Sequence, residues 1–387
     1  MKILMASPFF PPVINGVSLH VYHLAKGLAD QGVHIRLHTI KSSLSTSALD
    51  LNLDISNFHA VSFNQIFDVG SWNQLPLSIS YIRETIAVCD DFDVVHVHDF
   101  PKICNEILIL MLKKLKAKKP LVFTPHATGM LSPTYKGASA KGRLYWLVGI
   151  PQKVFRSVDH IVAVSSLEQE LFAKAYGAHK VSLIPEGVSS KYFVNEPIFT
   201  ENEKLKILFV GRIIESKGIK DLLYAISEII KTGHDPAKIE LVCIGPDWGY
   251  LNTVLRTIDE LGLNNSVRMM GPLSEIEKIK YLGWCDILVL PSYYEAFGIP
   301  LVEAMAHGKP VVATETVGSK SLVRDGETGF LVRIGKPHGL AEALMRFLVD
   351  PELKYRMGRE ALKRASDFKI EKTIKQHIRL YENLLAS

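Results

Sequence analysis

The chain has 387 residues, 47% of them hydrophobic and 22% charged, with a net charge of +5. That length exceeds one ordinary core and implies two domains, and the composition is that of a soluble globular protein without low-complexity tracts. The longest unbroken apolar runs, such as Ile107 to Leu112, are far short of the ~20 residues needed to span a bilayer.

The opening residues Met1 to Ala6 read as a first strand, without the longer apolar stretch and cleavage site of a signal peptide. Cys89, Cys104, Cys243 and Cys285 are scattered with no CxxC pair and read as reduced thiols, so a cytoplasmic location is expected. Val17, Val21, Leu24, Ala25 and Leu28 recur at helical spacing, and Gly32 closes that helix. Strand signals follow at Val33 to Ile40, Val94 to Val97, Leu121 to Thr124, His160 to Val164 and Val181 to Ile184, with helical stretches such as Lys102 to Lys116 and Ser166 to Tyr176 between several of them. This alternation predicts a parallel sheet with helices on both faces.

Between Pro101 and Arg156 the chain carries eleven basic residues and one acid, Glu106. The plain reading is lysines solvating a helix end, where they favour the dipole. The sharper one is a patch for anionic lipid headgroups, helped by Tyr145, Trp146 and Leu147, giving peripheral contact with the inner face of a membrane. No nucleic-acid motif accompanies the charge.

Pro185 to Pro197 reads as a hinge, after which alternation restarts: strands at Lys206 to Val210, Glu240 to Ile244, Val267 to Met270, Ile287 to Leu290 and Val311 to Ala313, with a helix from Gly218 to Lys231. Three helical stretches, Pro337 to Leu348, Pro351 to Ala365 and Ile370 to Leu385, complete the chain. The expected fold class is therefore α/β: two Rossmann-like domains facing across a cleft, with ligands at the carboxyl ends of the strands.

The segment Pro291 to Gly308 holds the densest chemistry. A buried strand leads into a loop with Glu295, Phe297 and Gly298, then a short helix with Pro300 in its first turn and Glu303 about a turn inside. A helix N-terminus attracts an anion. Two carboxylates beside it suit an anion that also bears hydroxyls, such as a sugar nucleotide. Upstream, Gly211-Arg212 and Lys217-Gly218 place two cations five residues apart at a helix start, which suits a diphosphate, although the P-loop order is absent. In the first half, Asn15-Gly16-Val17 joins strand one to helix one, where Gly16 is either a phosphate contact or an ordinary turn glycine. His126 follows a strand and is either a sugar-hydroxyl ligand or a structural histidine. His96 and His98 lack a third metal ligand, and Asp91-Phe92-Asp93 precedes a strand and reads as structural.

Gly211-Arg212 with Lys217-Gly218, followed by Glu295 and Glu303 eight positions apart, resembles the retaining glycosyltransferases of family 4, of GT-B fold. Asn15-Gly16-Val17, Asp93-Val94-Val95-His96-Val97-His98 and Thr124-Pro125-His126 match that family's first half, and the resemblance runs from Met1 to about Leu385. It implies transfer of a hexosyl unit from a UDP-, GDP- or ADP-sugar to a hydroxyl acceptor with retention, without metal or other cofactor. It places Glu303 on the ribose, Glu295 on the transferred sugar, Arg212 and Lys217 on the diphosphate, and backbone groups of Phe297, Gly298 and Ile299 on sugar and phosphate. Gly16 would complete the phosphate site, His126 would touch the sugar, and Gly271-Pro272-Leu273-Ser274 would hold the base. The implied domains are 1–190 and 191–369, with the last helix, 370–387, packing back on the first. Two departures are a single glycine at Asn15-Gly16 and the run Val317-Gly318-Ser319-Lys320-Ser321-Leu322 where the family often has Gly-Gly-x-Pro-Glu. The rivals are a sugar-nucleotide 2-epimerase of the same architecture and a non-catalytic sugar-nucleotide-binding protein. A nicotinamide dehydrogenase is disfavoured because no GxGxxG follows strand one.

Overall fold

The computed structural model describes residues 1–11, 16–41, 56–65, 77–115, 118–126, 149–199 and 204–387. They form two compact units, Met1–Gly187 with Ile370–Ser387, and Val188–Lys369. Asn15, the loops 42–54 and 128–142, and Tyr145, Trp146 and Leu147 lie outside the described residues, as do Lys116, Lys136, Lys141 and Arg143.

The first unit runs β1 (Lys2–Ala6), α1 (Gly16–Asp30), β2 (His34–Lys41), β3 (Phe58–Asn64), α2 (Ile79–Val88), β4 (Val94–His98), α3 (Ile103–Lys114), β5 (Leu121–Thr124), α4 (Ile150–Ser157), β6 (His160–Ala163), α5 (Ser166–Tyr176) and β7 (Val181–Leu183). Its seven strands pair in parallel in the order β3-β2-β1-β4-β5-β6-β7. A sheet covered on both faces needs apolar side chains on both, and β4 is buried along its whole length. One face packs Leu108, Leu112, Phe123, Phe155 and Phe172 into a core. The other receives Val21, Leu24, Ala25 and Leu28 of α1. Each Val, Leu or Phe among them, fully buried, contributes about 1.5–3 kcal/mol.

The second unit runs β8 (Leu205–Val210), α6 (Ile219–Lys231), β9 (Ile239–Ile244), α7 (Leu251–Glu260), β10 (Val267–Gly271), α8 (Glu275–Trp284), β11 (Ile287–Leu290), α9 (Ile299–Ala306), β12 (Val311–Thr314), α10 (Val317–Leu322), β13 (Gly329–Val332), α11 (Pro337–Val349) and α12 (Leu353–Ala365). Its strands order as β10-β9-β8-β11-β12-β13, again parallel. The final helix, α13 (Ile370–Ala386), belongs to the first unit, where Ile374, Leu380 and Tyr381 join the α1 side of the core.

Strand order reverses between β1 and β4 in one sheet and between β8 and β11 in the other. In open α/β sheets ligands bind at the carboxyl ends of strands at such a reversal. The loops leaving β8 and β11 carry Gly211-Arg212 and Pro291 to Gly298.

Several details differ from the sequence expectation. The strands β3 and β13 and the helices α2, α4, α7, α8 and α10 are additions to the sequence expectation. β3 alternates apolar and polar at the sheet edge, half-exposed, and β13 is four residues beginning with glycine, so neither presents an apolar run. The helix expected from Lys102 begins at Ile103. Lys102 itself is buried, 3.7 Å from Asp99 Oδ2 and over the Phe9 ring, and leaves the basic surface. Lys113, Lys114, Lys118, Lys153 and Arg156 are exposed. Asp93 accepts the Lys2 N–H at 2.7 Å and Phe92 fills the core, which gives the Asp-Phe-Asp run a structural role. Among the described residues no helix is long and apolar enough to cross a membrane.

Candidate active site

In the second unit four loops meet at the carboxyl end of the sheet. β8 ends at Val210, and Gly211 N–H donates to Ile244 O at 2.9 Å, tying its loop to the end of β9. Arg212 then lays its guanidinium over the Trp248 ring, 4.4 Å from the centroid. A short turn, Glu215–Lys217, presents Lys217, and Gly218 follows with φ +66° as the N-cap of α6. A Cβ on Gly218 would lie 2.0 Å from Pro291 O, so only glycine lets the two loops touch. Tyr293 N–H donates to Ser216 O at 2.8 Å, closing the same contact.

The loop after β11 delivers the first carboxylate. The Lys217 ammonium is ion-paired with Glu295 Oε1, and Ser292 Oγ donates to the same oxygen at 2.8 Å. Gly318 N–H donates to Glu295 O at 3.0 Å, so α10 buttresses the backbone here. Gly298, at φ +104° and ψ +54°, is the N-cap of α9, whose first turn contains Pro300. Few residues but glycine hold that left-handed conformation, and it leaves the first N–H groups of α9 at the loop edge. Phe297 is itself core, edge-on to Phe368 at 5.7 Å. Glu303, one turn inside α9, is 4% exposed, and Lys278 Nζ on α8 donates to its Oε1 at 2.6 Å. Pro272 and Leu273 precede α8, whose start is fixed by a capping box of Ser274 and Glu277. Arg212, Lys217, Glu295, Phe297, Gly298, Ile299 and Glu303 thus belong to one set of touching elements, with Pro272 and Leu273 at the start of the helix that supplies Lys278.

In the first unit, Gly16 is the first residue of α1 and is exposed. His126 follows β5 in a left-handed conformation, φ +53°. Its Nδ1 lies 2.7 Å from Glu186 Oε1, with side-chain exposures of 1% and 6%. Taken as a carboxylate, Glu186 only accepts, so the His126 Nδ1–H donates to it. A neutral His126 then accepts at Nε2 from His98 Nδ1–H, 3.3 Å away. Both nitrogens of His126 are engaged inside the unit. His20 of α1 meets the ring edge-on at 5.3 Å. The His96 ring lies 3.9 Å from that of His98, tilted by 36°, and shares hydrogen bonds with Tyr381 OH at 2.7 Å and Thr124 Oγ1 at 2.8 Å. His377 bonds Thr373 O at 2.9 Å. Among the described residues no group of three or more His, Cys, Asp or Glu could hold a metal ion.

Burial keeps this histidine cluster neutral. His126 is pushed down to about 4 by burial, against the raising field of Asp99. Burial takes His377 to about 4 and His20 to about 3, and holds His96 and His98 well below 6.5. The unfolded chain takes up these protons below about pH 6.5 while the folded chain refuses them, so protons favour unfolding. Stability is expected whole above pH 6.5 and falling between 6.5 and about 4. Thermal melts at pH 7.5, 6 and 5 check this, and a constant melting temperature across that range contradicts it.

The chain is a two-unit, all-parallel α/β protein of the GT-B type. Two family models match it, Glycosyltransferase Family 4 over residues 14–192 and Glycosyl transferases group 1 over residues 194–364, and the chain belongs to this glycosyltransferase family. A phosphatidyl-myo-inositol mannosyltransferase of Mycobacterium leprae is 29% identical, over 100% of this chain and 98% of the relative. Among solved structures, sucrose-phosphate synthase from Thermosynechococcus elongatus superposes with TM-score 0.79 at 22% identity, covering 100% of this chain and 99% of the other. The Anabaena protein HepE, solved with UDP and glucose, gives 0.76 at 21% identity, covering 99% of this chain and 100% of that one.

Sequence reasoning missed Lys278, Trp248 and Glu186. Each acts through a partner far away in the chain, and no local motif marks it.

Proposed function

We propose that this glycosyltransferase moves a hexosyl unit from a nucleoside-diphosphate sugar to a hydroxyl acceptor with retention of anomeric configuration. The observation that carries the reading is the Lys217–Glu295 ion pair beside the left-handed N-cap of α9, with Glu303 buried one turn further on. A diphosphate needs cations and N–H groups, and its ribose and sugar need carboxylates. This cluster offers both within a few residues. Glu303 takes the ribose hydroxyls and Glu295 the transferred sugar. Arg212 and Lys217 stabilise the charge that grows on the departing phosphate, which makes a metal unnecessary. That phosphate receives the proton of the acceptor hydroxyl as it attacks from the same face. We propose Gly16 as a phosphate contact, while the His126 ring is held inside the first unit by Glu186 and His98. The co-structure of HepE with UDP and glucose supports a nucleotide-sugar donor.

The test is calorimetric titration of UDP, GDP and ADP in EDTA buffer. Glu303→Ala and Arg212→Ala are each expected to weaken the preferred diphosphate more than tenfold. Unchanged affinity for all three nucleotides sinks the site assignment. Isomerisation of a sugar nucleotide without acceptor would instead mark a 2-epimerase, and binding with neither transfer nor hydrolysis a non-catalytic binder.

A further inference from the structure

Glu303 is too deeply buried to stand alone as a charge. A carboxylate taken from water without a partner is strongly disfavoured, so whatever neutralises Glu303 also fixes where it points. Lys278 does this at 2.6 Å, and its own position is set from the other side. Its ammonium lies over the Tyr192 ring, 4.9 Å from the centroid. The Tyr192 hydroxyl donates to Glu275 Oε1 at 2.8 Å, and Glu275 is ion-paired with Lys191. Tyr192 is in turn anchored to the far end of α9. The His307 Nδ1–H donates to Tyr192 O at 3.1 Å, and the Val194 N–H donates to Ala306 O at 3.1 Å. The segment 190–194 therefore grips the C-terminal end of the helix that carries Glu303, and through Lys278 it also grips the carboxylate.

We infer that Lys278, braced on the Tyr192 ring, is the positioning residue that aims Glu303 at a vicinal diol, so that it sets how strongly the site demands an intact nucleotide ribose. A carboxylate has about four lone-pair sites, so Oε1 can accept from Lys278 and still accept a ribose hydroxyl. Without Lys278 the carboxylate loses the donor that fixes its direction and can turn away. The geometry that matches two adjacent hydroxyls is then lost, whereas the side chains of Arg212 and Lys217 are untouched. This inference rests on the assignment of Glu303 to the ribose.

The experiment compares affinities for UDP, GDP and ADP with those for dUDP, dGDP and dADP, in wild type, Lys278→Met and Lys278→Arg. Wild type is expected to prefer the ribonucleotide by tenfold or more. Lys278→Met should reduce that preference to threefold or less, and Lys278→Arg should restore most of it. If wild type shows no preference, Glu303 is not the ribose ligand and the assignment itself fails. If wild type discriminates and Lys278→Met weakens both nucleotides equally, the ratio is kept and only the role of Lys278 is overturned. A merely structural lysine would lower affinity without moving the ratio. Should Lys278→Met fold poorly, Lys278→Ala, which also removes the donor, is read in the same way.

Discussion

Lys217→Met is expected to lower the rate of sugar transfer, or of slow donor hydrolysis, by about 10²–10³-fold, the usual cost of removing one donor aimed at charge that develops in the transition state. The backbone that carries Lys217 is fixed independently of its side chain. Gly218 abuts Pro291 O, and Tyr293 N–H holds Ser216 O, so the loop stays in place when the ammonium is removed. The Lys217 and Glu295 side chains are about 14% and 13% exposed, and Glu295 keeps the Ser292 hydroxyl and some access to water. The stability cost is therefore small and the effect falls on kcat more than on nucleotide affinity. Lys217→Arg should recover part of the rate, since the charge is kept and only its reach differs. A Lys217→Met enzyme that turns over within threefold of wild type removes this lysine from the leaving-group site.

What the sequence made legible was the part of the protein written in local patterns. Apolar runs between turn signals marked the central strands. Glycines and charges just past those runs marked the loops that bear chemistry, because side chains at strand ends are neighbours along the chain. The edge strand Phe58–Asn64 escaped because its outward half is polar, and the Gly329–Val332 strand because it is short and begins with glycine. The supporting residues escaped for a different reason. Lys278 reaches Glu303 across 25 positions, and Glu186 reaches His126 across 60, so only the folded chain brings them together. His96 and His98 raised the question of a metal because they alternate onto one face of a strand. Their partners, Tyr381 and Thr124 for one and His126 for the other, come from other elements entirely.

His126→Ala is expected to cost stability first. The reason is Glu186. With the imidazole gone, the buried carboxylate loses the N–H donor 2.7 Å away; because that imidazole is neutral, the loss is that of a hydrogen bond to a charged group, about 1.5–3 kcal/mol. For a unit of this size that corresponds to a drop in melting temperature of roughly 3–12 °C. Two further variants separate this effect from the loss of ring packing against His20 and His98. Glu186→Gln replaces a charge by a neutral amide and should cost less than His126→Ala. The double variant His126→Ala/Glu186→Gln should be more stable than the sum of the two predicts, because both changes act on the one hydrogen bond they share. Simple additivity would mean that the pair contributes little and that packing alone carries the effect. A His126→Ala protein that melts within about 2 °C of wild type, below what the loss of that hydrogen bond predicts, would show that the His126–Glu186 contact carries little stability. The ring would then again be a candidate for direct contact with the sugar, to be judged by activity alone.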